Sequence, residues 1–357
     1  MLHQSTLIVS NAINGGGAEK SSMELFKELS SHYKEIYFCA LNNSAIDQKT
    51  FTDNRINQLQ RNWKSGPFET FRTFLRFKAL VHELKPKIVV VNCELPELFV
   101  ALLPIKLNRI IAVEHTSRPW YRRKILGFFV RFLLLMKKCE WVSVSSNEIS
   151  IWPFQILARH IPNPITGVAK LRDSGKANIN GIEEASRGSL IFIGRLREEK
   201  RAQLLVEAAI DCEVSLELFG EGPELTKLLQ MASNFRDSIT FHGFINDPWA
   251  LIGEDDLVVV PSLFEGDGMV IAEAIINGHS ILLAENEDLR RFQLPDDHYF
   301  KSKLELENKI DDWKKSSKDL FRPPTEVRDR VKNERDIVSI CNTWQKYLQA
   351  DGSESEF

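Results

Sequence analysis

Two glutamates, Glu265 and Glu273, stand eight residues apart in PSLFEGDGMVIAEAIINGHSILLA, the stretch from Pro261 to Ala284. It leaves an apolar run, passes through a loop holding Gly266 and Gly268, and enters a helical pattern that a glycine ends. Those glycines let backbone amides approach an anion, and a helix starting near Gly268 would present unpaired N–H groups and a positive dipole end. One glutamate precedes that helix and the other lies on its second turn, so both can face one ligand across the loop. A second stretch, SLIFIGRLREEKRAQLLVEAA (Ser189–Ala209), repeats the layout with cations, since Arg195 and Lys200 follow a strand that ends in glycine. Two fixed cations beside a helix start suit a diphosphate and can neutralise charge as it leaves. The plain alternatives are a solvated helix face for the glutamates and surface charge for the cations. Placement after strand ends favours the functional reading, because ligands of open α/β sheets bind there.

Near the N-terminus, STLIVSNAINGGGAEKSS (Ser5–Ser22) also runs from an apolar strand through glycines toward a helix. A dinucleotide fingerprint needs a third spaced glycine, and after Gly15, Gly16 and Gly17 come Ala18 and Glu19. A P-loop needs glycine before its lysine, and Glu19 occupies that place before Lys20 and Ser21. Both phosphate motifs fail.

These residues have to be positioned by strands that alternate with helices. The expected strands are Thr6–Ile13, Glu35–Leu41, Ile88–Asn92, Ile110–Glu114 and Trp141–Ser145, then Leu190–Ile193, Val214–Phe219, Ser238–Phe241, Leu257–Val260 and Ser280–Ala284. Runs such as KIVVVN are apolar on both faces, as buried parallel strands are, and the alternation throughout predicts an α/β class. IPNPITG (Ile161–Gly167) breaks the pattern with two prolines and leads into a polar stretch, which divides the chain into domains at 1–165 and 166–330. A last helix over 331–350 carries an apolar stripe through Ile337, Ile340, Trp344 and Leu348. The acidic tail 351–357 reads as disordered.

The 357 residues carry a net charge of −3, but unevenly. Residues 1–165 hold 22 Lys/Arg against 13 Asp/Glu, and residues 166–357 hold 24 against 36. The basic half is suited to an anionic partner, while a pI of about 6.3 argues against a dedicated nucleic-acid binder. Five scattered cysteines without C-x-x-C spacing read as reduced thiols of a cytoplasmic protein. No signal pattern and no apolar run of spanning length is present. No H-E-x-x-H or D-x-D motif occurs, so no metal or other cofactor is expected.

Glu265-x7-Glu273 preceded by VVPS resembles the signature of family 4 retaining glycosyltransferases. FIGRLREEKR, LFGEGPELTKL, ITFHGFI, SVSSNE, IPNPI and NGGGAEKSS resemble that family's other landmarks, in its order, from Gly15 to Leu283. The resemblance implies the GT-B fold: two Rossmann-like domains facing across a cleft, with the C-terminal helix crossing back to the N-terminal domain. It implies that Glu273 bonds the nucleotide's ribose, Glu265 the transferred sugar, and Arg195 and Lys200 the phosphates. Amides of Gly266, Asp267, Gly268, Met269 and Val270 would hold diphosphate and sugar. His115, in VEHTS, falls beside the donor sugar and would be catalytic together with Glu265, Arg195 and Lys200, although a strand-end histidine is often structural. Gly16 and Gly17 would line the cleft. Two positions depart from the pattern: Asp267 replaces a bulky apolar residue and Arg201 replaces a glycine. His242 and Trp249 read as structural.

The implied activity is a metal-independent, retaining, hexosyltransferase-type glycosyltransferase. It would take a UDP-sugar, or second a GDP-sugar, to a glycan or lipid-linked acceptor in cell-surface polysaccharide, O-antigen or lipopolysaccharide assembly. A nucleotide-sugar epimerase or hydrolase and a non-catalytic GT-B-like binding protein are the alternatives; a Rossmann dehydrogenase fits least. Two basic stretches rich in aromatics, 61–85 and 117–141, suit the surface of an anionic membrane. They would place the protein peripherally on the inner face of the cell membrane. Trp120, Phe128, Phe129, Phe132 and Leu133 to Leu135 in one, and Phe68, Phe71, Phe74 and Phe77 in the other, are the expected apolar anchors.

Overall fold

The structure, a computed structural model, describes residues 4–13, 15–43, 53–63, 65–116, 118–121, 123–145, 148–151, 154–166, 188–316 and 320–350. The polar stretch after Gly167 and the tail 351–357 lie outside them. The chain forms two compact units, one from Met1–Thr166 with Glu334–Phe357 and the other from Gly167–Asn333.

In unit 1 the strands are β1 (Thr6–Ser10), β2 (Ile36–Asn42), β3 (Ile56–Arg61), β4 (Ile88–Asn92), β5 (Arg109–Glu114), β6 (Glu140–Ser143), β7 (Glu148–Ile151), β8 (Phe154–Leu157) and β9 (Arg159–His160). β7 and β8 form a separate antiparallel pair. The rest make one parallel sheet in the order β3-β2-β1-β4-β5-β6-β9. The strand order reverses between β1 and β4, which makes their carboxyl ends a topological switch point. Helices α1 (Gly17–His32), α2 (Pro67–Leu84), α3 (Glu94–Leu102) and α4 (Lys124–Met136) connect the strands.

Side chains alternate across the sheet, so each strand serves two cores. Ile8 and Val90 pack with Met23, Phe26 and Leu29 of α1. Leu7, Val9, Val89 and Val91 pack with Phe77 and Val81 of α2, Phe99 of α3, and Val130 and Leu134 of α4.

Unit 2 repeats the plan with β10 (Leu190–Ile193), β11 (Leu216–Phe219), β12 (Ile239–Gly243), β13 (Leu257–Val260), β14 (Ser280–Ala284) and β15 (Tyr299–Phe300). All pairings are parallel, in the order β12-β11-β10-β13-β14-β15, and the switch point lies between β10 and β13. Its helices are α5 (Ala202–Asp211), α6 (Leu225–Met231), α7 (Met269–Asn277), α8 (Glu287–Arg290), α9 (Lys303–Lys315) and α10 (Thr325–Glu334). α7 is apolar on nearly every side and buried apart from Val270, as a helix inside the fold must be.

The last helix, α11 (Ile337–Gln349), belongs to unit 1. Ile340, Cys341, Trp344 and Leu348 join the α1 core. Arg109, at the start of β5, donates through Nη1 to the carbonyls of Tyr347 at 2.9 Å, Leu348 at 3.3 Å and Ala350 at 3.0 Å. A helix's last carbonyls lack partners of their own, and a cation there also meets the negative dipole end. Glu140 holds Arg109 in a two-pronged pair at 2.7 and 2.8 Å and accepts from the Tyr347 hydroxyl at 2.7 Å.

The strand expected over Thr6–Ile13 ends at Ser10, since the Asn11 carbonyl turns to accept from the Asn42 backbone and side chain. The strand expected from Val214 begins at Leu216 and the one expected to Ser145 ends at Ser143. β3, β7, β8, β9 and β15 were not expected. β3, INQLQR, is a polar edge strand with no apolar alternation to mark it.

Of the expected membrane anchors, Trp120, Phe77 and Leu134 instead turn into the core. α2 still exposes Phe68 and Phe71, and α4 exposes Ile125, Phe129, Phe132 and Met136. Among the described residues no helix is long and apolar enough to cross a membrane.

Candidate functional site

In unit 2 the loops after β10, β13 and β14 meet at the switch point. The turn after β10 ends in a short 3-10 helix, Glu198–Lys200. Lys200 Nζ donates to Glu265 Oε1 at 2.5 Å, and Ser262 Oγ donates to the same oxygen at 2.8 Å. The Leu263 amide binds the Glu199 carbonyl at 2.9 Å, which ties the β13 loop to the β10 turn. From beyond β14, Asn286 donates to the Ser262 carbonyl at 3.0 Å, and Asp288 accepts from the Glu265 amide at 3.1 Å. Lys200 and Glu265 keep 26% and 12% side-chain exposure, so a ligand can still reach the pair. Arg195 is exposed just past β10.

Gly220 brings the β11 loop against this turn: a Cβ there would sit 1.9 Å from the Gly194 carbonyl oxygen, so only glycine allows the approach. Asp256, at the foot of β13, accepts from the amides of Ser189 and Gly253 at 2.7 Å each. Burial pushes its carboxyl up, against those two bonds.

α7 opens on Gly268 with φ +64°, a conformation other residues rarely take, and no side chain caps it. The Ile271 amide turns back to the Gly268 carbonyl at 3.0 Å, which leaves the amides ahead of it to face an anion. Asp267 lies buried just ahead of this end, where a helix dipole favours a carboxylate. Glu273 is buried, and Trp249 Nε1 donates to its Oε2 at 3.0 Å. The Trp249 indole stacks on His279 with ring centres 5.4 Å apart. Burial pushes the His279 imidazole down to about 4, so it stays neutral beneath the indole.

Arg201, the departure noted after Lys200, adopts φ +52° between the 3-10 turn and α5. Left-handed backbone costs a residue with a Cβ roughly 1–2 kcal/mol, while glycine loses about 0.5–1 kcal/mol of chain freedom. Arg201→Gly is expected to raise stability by up to about 1 kcal/mol, read as a higher urea midpoint at unchanged slope. A lower midpoint would show that the Arg201 side chain contributes more than its backbone loses.

In unit 1, Gly16 precedes α1 and Gly17 begins it. Glu19 is buried in the helix's first turn, with its carboxyl carbon 3.6 Å from where a Gly15 Cβ would lie. The positive end of α1 thus carries its own carboxylate, which is why the loop departs from a P-loop. Ser21 Oγ donates to Asn163 Oδ1 at 2.6 Å, and Arg335 donates to the Asn163 carbonyl at 3.2 Å, so the IPNPI stretch is fastened at both sides. His115 follows β5, and its Nε2 lies 2.8 Å from Asn92 Oδ1 at the end of β4.

Beneath that strand end lies a buried ionic cluster. Arg131 of α4 pairs with Glu114, the residue before His115, and with Glu97 of α3 at 3.5 Å. Trp120 Nε1 donates to Glu97 Oε2 at 2.8 Å. Burial pushes the Glu97 carboxyl up to about 7 and raises that of Glu114, with Arg131 opposing both shifts.

The structure joins Lys200 with Glu265, Glu273 with Trp249, and His115 with Asn92. Ser262, Asn286, Asp288, Asn92 and Trp249 were not foreseen as site residues. The first four lie at or just after strand ends, a signal that was available; Trp249 carries none. Among the described residues no three His, Cys, Asp or Glu side chains gather as a metal site requires.

Residues 180–320 match the family model described as glycosyl transferases group 1. An uncharacterized glycosyltransferase of Haemophilus influenzae is 22% identical over 289 residues, covering 77% of this chain and 78% of the relative. HepE of Anabaena, solved with UDP and glucose, superposes with a TM-score of 0.77 at 16% identity, over 98% of this chain and 100% of HepE. The lipopolysaccharide outer core galactosyltransferase WaaB superposes with a TM-score of 0.64 at 14% identity, over 96% and 98% of the two chains. The fold is GT-B, and the family match with these neighbours supports a GT-B glycosyltransferase.

Proposed function

We propose that this protein is a retaining glycosyltransferase. It moves a hexose from a nucleotide diphosphate sugar, UDP-linked in preference to GDP-linked, to a glycan or lipid-linked acceptor. The observation that carries the reading is the Lys200–Glu265–Ser262 cluster at the unit 2 switch point, beside the uncapped start of α7. The family match covers the same residues. UDP bound to HepE supports the choice of base.

Lys200 and Arg195 bind the diphosphate with the α7 amides, without a metal ion. Glu273 takes the ribose hydroxyls, and Glu265 takes hydroxyls of the transferred sugar. An acceptor hydroxyl oxygen bonds to the anomeric carbon as the bond from that carbon to the phosphate oxygen breaks. The leaving diphosphate takes the hydroxyl proton on the same face of the sugar, and fixed positive charge stabilises it as it departs. Unit 1 holds the acceptor, with Gly16 and Gly17 at the start of α1, and His115, just past β5, lies beside the donor sugar. The decisive experiment is a panel of nucleotide sugars scored by thermal shift and by transfer of labelled sugar. UDP-sugars are expected to raise the melting temperature and to give an α-product from an α-donor. An inverted product, or no shift with any donor, would sink the reading.

The setting is cell-surface polysaccharide assembly on the inner face of the membrane, a reading supported by the likeness to WaaB, a lipopolysaccharide outer core galactosyltransferase. Phe129, Phe132, Ile125 and Met136 of α4 with Phe68 and Phe71 of α2 are the apolar contacts, among Lys124, Lys137, Arg72 and Arg76. Binding to anionic vesicles at low salt is expected to fall sharply in F129E/F132E and in high salt. Equal recovery with neutral and anionic vesicles would remove the membrane from the reading.

A further inference from the structure

Asn92 closes β4 at the unit 1 switch point and is 4% exposed. β4 lies between β1 and β5 in the sheet. One amide side chain reaches both neighbours: Nδ2 donates to the Val9 carbonyl of β1 at 3.3 Å, and Oδ1 lies 2.8 Å from Nε2 of His115, just past β5. Asn92 thus spans the strand ends from which the glycine loop and His115 depart.

This pairing settles the orientation of both rotatable groups. A carbonyl oxygen only accepts, so the Asn92 group facing Val9 is the NH₂. Its oxygen therefore faces His115, and Nε2 must carry a hydrogen to bond it. In the neutral ring the lone pair then sits on Nδ1, and that atom is buried. Asn92 is neutral, so it orients the ring without adding the charge an aspartate would bring.

The backbone beside this pair is strained. Cys93 has φ +78° and ψ 168°, a region that side chains avoid. Such strain gathers where a strand end must present a group in one geometry.

We infer that Asn92 is a positioning residue that holds His115 as its neutral Nε2–H tautomer and keeps the ring out of proton transfer. With Nε2 committed to a neutral acceptor and Nδ1 buried, His115 gives the strand end its shape and does not act as general acid or base. The inference rests on the transferase reading for its catalytic consequence, since it leaves the reaction's proton to the leaving diphosphate. Its structural part stands without that reading.

The test uses full-length protein with 15N-labelled histidine and no substrate. The ring whose signals vanish in His115→Gln is expected to show the Nε2–H pattern, and Asn92→Ala to show a mixture of tautomers. Asn92→Asp keeps an oxygen acceptor for Nε2 and should retain the tautomer, which also covers the case in which Asn92→Ala does not fold. With an active donor, Asn92→Ala should lower kcat by about tenfold with little change in KM, and Asn92→Asp should recover part of that loss. His115→Gln should leave the shape of the kcat–pH profile unchanged where histidines titrate. An Nδ1–H ring in the parent protein, or an unchanged tautomer in Asn92→Ala, would overturn the assignment. A profile that loses an ionisation in His115→Gln would overturn the exclusion from proton transfer. Absence of transfer with every donor, with the tautomer pattern as described, would sink the transferase reading and support the ring assignment.

Discussion

Lys200→Ala is expected to lower kcat by about 10²–10³-fold, the loss typical of one preorganised group that stabilises developing charge. The free protein shows why the effect should exceed that of a surface lysine. Lys200 already neutralises Glu265 at 2.5 Å, and Ser262 shares the same carboxylate oxygen. At the proposed donor site, removing the ammonium would take a cation from the diphosphate and leave the Glu265 carboxylate without its ion-pair partner beside it. The two residues should couple: a Lys200→Ala, Glu265→Gln double variant should lose less than the sum of the singles. Lys200→Arg should retain part of the activity, since its charge remains but its planar group fits the Glu265 oxygen differently. Steady-state transfer assays with the donor selected by the thermal-shift panel decide this. Full kcat in Lys200→Ala would disconnect the cluster from the reaction.

Arg131→Met should destabilise unit 1 by about 3–5 kcal/mol, because breaking a buried ion pair strands charge in the core. Here one guanidinium serves two buried carboxylates, Glu97 and Glu114. The same cluster predicts a pH dependence. Burial raises the folded-state value of Glu97 from 4.5 to about 7, with Arg131 pulling the other way. A raised carboxyl favours the folded state fully below its unfolded value, and that contribution is lost as pH rises through about 7. The parent protein should therefore be less stable at pH 8 than at pH 5.5 by urea denaturation. Glu97→Gln keeps an acceptor for Trp120 and cannot ionise, so it should remove this part of the dependence and relieve much of the damage at pH 8 in Arg131→Met. An identical pH dependence in Glu97→Gln would rule out Glu97 as its source.

Strands buried on both faces were legible because burial forces an unbroken apolar run. Ile88–Asn92, Leu190–Ile193, Leu257–Val260 and Ser280–Ala284 have the bounds read from the residues. Edge strands have no such constraint, and β3 and β9 left no trace in the pattern. At the candidate site, Glu265, Glu273, Arg195 and Lys200 stood out because each lies at a set distance from a strand end or a glycine. Their partners were not legible, since a hydrogen bond between Trp249 and Glu273 depends on how distant segments pack. Trp120 shows the same limit. It reads as an interfacial aromatic among basic residues, but a buried carboxylate 23 residues earlier takes its N–H and draws it inward.

The seating of α11 bears on how the chain is made. Unit 1 is discontinuous, with all of unit 2 inserted between Thr166 and Glu334. On a ribosome, every strand of the first sheet emerges well before the helix that completes the core under α1. Until α11 arrives, Phe26, Leu29 and their neighbours lack the apolar surface of Trp344 and Leu348, and Arg109 and Glu140 hold only each other. Unit 2 is contiguous and can finish folding first, although its synthesis begins later. The early sheet and α1 must therefore stay unaggregated with part of one core open, and translation has to reach α11 before the first unit is complete.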